Sequence, residues 1–284
     1  MNPSQKSLEH AVGPAGSSTV DSLLERGAML CPDRILVEFR SNDSMVQSLT
    51  WQEMHSRVLA FAATLHRMGV GPGVKVNIHL ENRPEFLVAW FACARLGAVM
   101  VPTNVASSVE ELTFQLQHSE TELCLTEPRF EAPVREAAGR AGRVRHVLLA
   151  ANMPGTLKDE FAVPDRRSRP EDPVAILYTS GTTARPKGVV VSHAAYGYAG
   201  LVVSRAIGLT DKDRFLTVLP LFHGNAQYYS VMSVLVSRAT LLLMERFSAS
   251  KYFMQAEAHG ATVGSLFAAP ARMIASPSAP PAAR

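Results

Sequence analysis

The chain has 284 residues, of which 47% are hydrophobic and 19% charged, and its 28 Lys and Arg nearly balance 25 Asp and Glu for a net charge of +3. That length supports a sizeable core in one large or two modest domains, and the charge balance excludes the basic excess expected of a nucleic-acid-binding protein. Cys31, Cys93 and Cys124 are odd in number and far apart, which excludes a disulfide framework, and the longest apolar run, residues 86–94, is too short to span a bilayer; a soluble, cytoplasmic protein is expected.

Residues 1–20 are polar and rich in Ser, Gly and Pro, so a disordered tail is expected there. Residues 21–27 begin a helix, and Ile35-Leu36-Val37-Glu38-Phe39 reads as a strand ending at Ser41-Asn42-Asp43. Thr50 and Glu53 form a capping-box pattern ahead of Met54, Val58, Phe61, Leu65 and Met68 at helical spacing, with Gly69 closing the helix. That apolar stripe is core, and His55 and His66 belong to the helix surface. Val74, Val76, Ile78 and Leu80 alternate as a strand does, and residues 82–96 form a second helix with Pro84 in its first turn and Gly97 past its end.

Strands are expected at 98–101, 122–126 and 144–150, separated by a helix capped by Ser108 and Glu111 and by another over 131–138, stopped by Gly139. Such alternation implies a mostly parallel sheet covered by helices on both faces. Residues 151–173 read as a surface loop. Later elements are a helix from Ser192 to 207, a strand at 214–219, a helix at 226–237, a strand at 239–245, a helix at 248–259 and a strand at 261–267; residues 275–284 form a Pro/Ala tail. Cys93 and Cys124 lie within apolar patterns and are expected to be buried thiols. The basic clusters at Arg140, Arg143 and Arg145 and at 166–169 are expected to be solvated.

One stretch departs from this ordinary pattern. Residues 174–178, Val-Ala-Ile-Leu-Tyr, form a buried strand; then Thr179, Ser180, Thr182 and Thr183 gather four hydroxyls around Gly181. Pro186 denies the backbone a donor, Lys187 adds a mobile cation, and Gly188 lets the chain turn away. Hydroxyls, free backbone N–H groups and an ammonium suit a phosphate-holding loop, while a polar turn is the plainer alternative. The spacing is not that of a Walker A loop, because Pro186 stands where a second glycine would be needed.

Tyr178 through Gly188 closely resembles the signature loop of the adenylate-forming enzymes: the acyl-CoA synthetases, adenylation domains and luciferases. One residue departs, since Ala184 stands where that family usually has glycine, and a positive φ there would cost about 1 kcal/mol. Residues 49–54, Leu-Thr-Trp-Gln-Glu-Met, and 95–104, Arg-Leu-Gly-Ala-Val-Met-Val-Pro-Thr-Asn, are similar to earlier motifs of the family. Residues 219–224, Leu-Pro-Leu-Phe-His-Gly, resemble a segment of its acyl-CoA synthetases, and 222–227 are loosely similar to members that activate carnitine and cyclic acids.

The resemblance implies an α/β fold of two sheet-and-helix lobes, one over residues 71–190 and the other from 21–70 together with 191–274. The second lobe is expected to be incomplete, the C-terminal domain absent and the sheet edges exposed, so that the chain associates or awaits a missing half. It implies ATP-dependent activation of a small carboxylic acid as an acyl-adenylate and transfer to coenzyme A. A carrier-protein thiol as acceptor, or a truncated non-catalytic binder of nucleotide or acyl groups, are the alternatives. ATP contacts would fall to Thr179, Ser180, Gly181, Thr182, Thr183, Lys187 and Gly188, with Mg²⁺ as counter-ion and no metal ligand assigned within this chain. Lys187 and His223 would be catalytic, and His223, Gly224, Asn225 and Gln227 would line the acyl pocket; a structural role for His223 and helix capping by Asn225 stand beside those readings. His193 is expected to start a helix and not to act in chemistry. The family's later motifs, with an acidic Mg²⁺ residue, a ribose-binding aspartate, a hinge and a C-terminal lysine, have no counterpart after Phe267, which reads as an N-terminal portion about half the family's length.

Overall fold

In the computed structural model residues 17–42, 45–155, 168–179 and 186–275 are described. The helix starts follow from side-chain caps. Thr19 caps α1 (Val20–Leu30), Thr50 and Glu53 form a reciprocal capping box on α2 (Trp51–Arg67), and Ser108 and Glu111 do the same for α4 (Val109–His118). Between the last two lies α3 (Pro84–Leu96), with Pro84 at its start and Gly97 in the left-handed region at its end.

Two sheets organise the chain. The larger contains β3 (Lys75–His79), β4 (Val99–Pro102), β5 (Leu123–Thr126), β6 (His146–Leu149), β7 (Pro173–Thr179) and β8 (Lys187–Ser192), in the order β6-β5-β3-β4-β7-β8. All its pairings are parallel except β7 with β8. The smaller contains β1 (Ile35–Arg40), β2 (Val46–Thr50), β9 (Arg214–Thr217), β10 (Thr240–Met244) and β11 (Val263–Ser265), in the order β11-β9-β10-β1-β2, antiparallel only at β1–β2. The remaining helices among the described residues are α5 (Glu131–Ala141), α6 (His193–Ile207), α7 (Met232–Ser237), α8 (Tyr252–Ala258) and α9 (Ala268–Ala275).

One apolar core joins both sheets. Val76, Ile78, Leu125 and Val174 of the larger sheet share a cluster with Leu36, Val37, Leu241 and Leu243 of the smaller, and α3 supplies its densest part. From Phe86 through Ala94 no α3 side chain is more than 3% exposed, so the helix is covered on every face. Cys93 and Cys124 are fully buried, and burial pushes each thiol up to about 12.

Several expectations change in detail. β3 does not alternate between core and solvent: Val76, Asn77, Ile78 and His79 are all buried, because a central parallel strand is covered on both faces. α5 runs through Gly139 and stops at Gly142, whose φ of +79° supplies the left-handed cap that Gly139 does not provide. Gly188 does not turn the chain away. It sits within β8 opposite Tyr178, where an added Cβ would lie 2.9 Å from Ile176 Cγ2. The helix expected over 226–237 begins as a π-helical segment, Ala226–Val231, before α7. His66 is exposed, whereas His55 is half-buried and desolvation lowers its pKa. The tails at 1–16 and 276–284 lie outside the described residues.

His193 starts α6 and is fully buried. Its Nδ1 accepts the Val20 N–H at 3.1 Å, tying the start of α1 to that of α6 across 173 residues of sequence. Gly200 of α6 lies so close to α7 that a Cβ there would stand 2.6 Å from the Met232 carbonyl oxygen. Gly200→Ala is therefore expected to destabilise the fold by about 1–3 kcal/mol through overpacking against backbone. A urea midpoint equal to that of the unsubstituted protein would show that α6 and α7 separate without cost.

Candidate functional site

The C-terminal ends of the central strands of both sheets face one another, which is where open α/β sheets place ligands. A cavity of about 460 Å³ opens there. One wall is the β7–β8 hairpin, with Tyr178, Thr179 and Pro186; the other is the segment after β4, with Thr103, Asn104 and Ser107, continued by Glu111 and Gln115 of α4. Phe222 and His223, from the segment after β9, complete it.

The hairpin register puts Thr179 opposite Lys187, both exposed, so a hydroxyl and an ammonium are brought together where the hairpin opens. Thr179 lines the cavity; Lys187 lies outside its lining. Ser180, Gly181, Thr182, Thr183 and Ala184 lie outside the described residues. Gly188 packs beneath, against Ile176 and Tyr178.

His223 is brought to the cavity by a tight turn in which its N–H donates to the Pro220 carbonyl at 3.1 Å. Its ring lies 4.3 Å from that of Phe222, and although it is exposed at the rim, desolvation lowers its pKa and favours the neutral imidazole. Gly224, Asn225 and Gln227 are not in the lining of this cavity or of its neighbour. Gly224 packs on Leu177 and Tyr228, Asn225 accepts a long hydrogen bond from Ser265 at 3.5 Å, and Gln227 is fully buried. Asn225 makes no side-chain cap to the helix it precedes.

Polar residues that sequence reasoning missed support the cavity. The Tyr178 hydroxyl donates to the Gln115 carbonyl at 3.2 Å and meets His118 Nδ1 at 2.8 Å, which braces the hairpin on α4; burial raises that phenol to about 12. Beneath Thr103, Asn77 Nδ2 donates to its hydroxyl at 3.0 Å and His79 Nδ1 meets it at 2.8 Å. Burial holds the His79 pKa at about 4, so its ring is neutral. One signal was available: Asn77, His79 and Asn82 are polar residues within or just after an apolar strand, at the sheet end where ligands bind.

A second cavity, of about 260 Å³, meets the first at Asn104 and Phe222. Leu80, Val218, Leu219 and Phe247 make its wall largely apolar, while Glu81 and Arg246 bear charges at its lining and pair with each other. A polar chamber beside an apolar one suits a ligand with an anionic head and an apolar body. Among the described residues no group of three or more His, Cys, Asp or Glu could hold a metal ion. The donor set of hydroxyls and an ammonium fits a phosphate group, and a divalent ion would have to arrive with the phosphate-bearing ligand.

Residues 24–284 match the family model described as AMP-binding enzyme. The crotonobetaine/carnitine–CoA ligase of Salmonella paratyphi A is 31% identical over 244 residues, covering 81% of this chain and 47% of that protein. The chain thus spans about half the length of the curated relatives it matches. In fold it is similar to the N-terminal domain of FACL13 from Mycobacterium tuberculosis, seen in an inhibitor-bound crystal structure: TM-score 0.80, 24% identity, 90% of this chain and 64% of that one. It is also similar to the O-succinylbenzoate coenzyme A synthetase (MenE) of Bacillus subtilis in complex with ATP and magnesium ion: TM-score 0.75, 26% identity, 92% of this chain and 67% of that one.

The buried rings set a pH dependence. His79 and His193 are both lowered to about 4 by burial, so between pH 6.5 and 4 the unfolded chain takes up protons that the folded chain refuses. Their contribution is complete above 6.5 and is lost as pH falls through that window, at about 1.4 kcal/mol per pH unit for each ring. Urea midpoints at pH 7 and pH 5 should reveal the fall, and His193→Gln should remove about half of it; identical slopes would place the proton elsewhere.

Proposed function

The chain belongs to the AMP-binding enzyme family, and on that premise we propose that it carries the phosphate-gripping and acyl-binding part of an ATP-dependent carboxylate–CoA ligase. The observation that supports this most directly is the convergence of three segments distant in sequence. Thr179, with Lys187 opposite it in the hairpin, Thr103 and Ser107 after β4, and His223 after β9 meet at one cavity, Lys187 standing outside its lining.

The proposed chemistry is attack of a carboxylate oxygen on the α-phosphorus of ATP, with pyrophosphate leaving and an acyl-adenylate formed; a coenzyme A thiol then takes the acyl group. Negative charge grows on the departing pyrophosphate, so groups poised around the β- and γ-phosphoryl oxygens lower the barrier. That role falls to Thr179, Ser180, Gly181, Thr182 and Thr183, with Lys187 supplying the positive charge and Gly188 fixing the approach of β8. Mg²⁺ supplies charge neutralisation when bound with the nucleotide. The apolar chamber takes the acyl body, and His223, neutral at its rim, stands beside the carboxylate and the incoming thiol; Gly224 and Asn225 shape the segment behind it, and Gln227 supports that segment from the core. Each sheet with its helices forms one lobe, and the site lies between them.

Calorimetric titration of ATP with Mg²⁺ into the chain tests the reading. Lys187→Ala is expected to weaken binding at least tenfold, about 1.4 kcal/mol for one charge-assisted contact. Carboxylate-dependent exchange of pyrophosphate into ATP by the enzyme should disappear with it. Equal ATP affinity in the variant would overturn the assignment of the loop.

A further inference from the structure

Leu221 lies two residues before His223, in the middle of the segment that carries the imidazole to the cavity. Its backbone N–H and C=O are both held by buried side-chain amides from different parts of the fold. The N–H donates to Asn82 Oδ1 at 2.7 Å, and the C=O accepts from Gln227 Nε2 at 2.7 Å. Asn82 Nδ2 makes two more bonds, to the Leu219 and Met244 carbonyls, each at 3.0 Å. Asn82 is 4% exposed and Gln227 is not exposed at all.

These partners also fix which amide atom is which. Two carbonyls lie against one end of Asn82 and an N–H against the other, so reversing the amide would break all three bonds. Gln227 is determined in the same way: the Leu221 carbonyl needs a donor, and Oε1 accepts the hydroxyl proton of Tyr196. Tyr196 is itself fixed, its ring 5.0 Å from Trp90 of α3 and 4.8 Å from Tyr228.

Asn82 follows β3 of the larger sheet, whereas Met244 ends β10 of the smaller one and Leu219 follows its β9. A single amide therefore sets the spacing between the sheets at the cavity and the path of the chain toward His223. From the other side Gln227 holds the same residue to the aromatic stack. We infer that Asn82 and Gln227 are positioning residues, which grip the backbone of Leu221 and so fix His223 at the mouth of the cavity. Asn82 also lines the apolar cavity, whereas Gln227 lines neither cavity. This inference rests on the reading that His223 serves the ligase reaction, but the placement of the ring can be tested apart from activity.

Two-dimensional NMR of the histidine side chains reads that placement, with the His223 signal assigned by its loss in His223→Gln. Asn82→Ala and Gln227→Met are expected to shift or broaden the His223 resonance. The His259 signal, from a ring held by Glu38 at 2.8 Å, should stay in place. Gln227→Met keeps a similar volume while removing the donor to Leu221, so it also serves if Asn82→Ala does not fold. Val58→Ala, a core truncation on α2, controls for general loosening and should leave the His223 signal unmoved.

In the enzyme assay both positioning variants should lower kcat for pyrophosphate exchange by about 100-fold with ATP affinity kept, the loss expected from displacing a reacting group by about 1 Å. A His223 resonance unchanged in both variants, or displaced equally by Val58→Ala, would overturn the inference. Absence of exchange in the unsubstituted enzyme would count against the ligase reading alone, because the NMR result still decides whether the two amides place the ring.

Discussion

The structure depends on burying one helix on every side. α3 carries Phe86, Leu87, Val88, Trp90, Phe91 and Leu96 within three and a half turns, and no single layer can cover an apolar surface that extends all round. It is stable only where other layers enclose it, and here the two sheets share one core with it. Burying a large side chain contributes about 1.5–3 kcal/mol, so this helix is a major part of what holds the sheets together. The cleft between the sheets follows from that arrangement.

Where the strand ends meet, the core changes character. Asn77, His79, Asn82, Thr103 and Gln227 are all buried polar residues, and each makes hydrogen bonds to groups that position the chain around the cavity. Leaving one such group unpaired costs about 1–3 kcal/mol, which makes the local geometry directional where an apolar core would tolerate sliding. Tyr178 braces the hairpin to α4, and the two amides at Leu221 brace the segment opposite. The polar and apolar chambers share Asn104 and Phe222, one from the segment after β4 and the other from the segment after β9.

Much of the fold was legible in the sequence because its signals are local. Capping boxes at Thr50 and Ser108 and the Pro84–Gly97 bracket depend on residues within a turn of one another, and each was found where expected. Misread details depended on distant packing. Gly139 looked like a stop, yet nothing in the fold requires a left-handed residue there; Gly188 looked like a turn, yet its lack of a side chain serves the approach of Ile176 across the hairpin. β3, whose apolar residues alternate in sequence, is buried on both faces, as the expected parallel sheet covered by helices requires. In the site, the hydroxyl-rich run and His223 stood out as composition and motif, whereas Asn82 did not, since its partners lie 137 and 162 residues away.

The sequence by itself determined the family, the α/β alternation and the absence of any helix among the described residues long and apolar enough to cross a membrane. These rest on contiguous patterns of periodicity, capping and residue chemistry. Only the tertiary structure decided that Thr179 and Lys187 stand in register, that Thr179 and His223 line one cavity with Lys187 outside it, and that Gln227 lies in the core and not on the cavity wall. Those relations depend on how two sheets close around a shared helix, and hydrogen bonds between residues more than a hundred positions apart leave no local pattern to read.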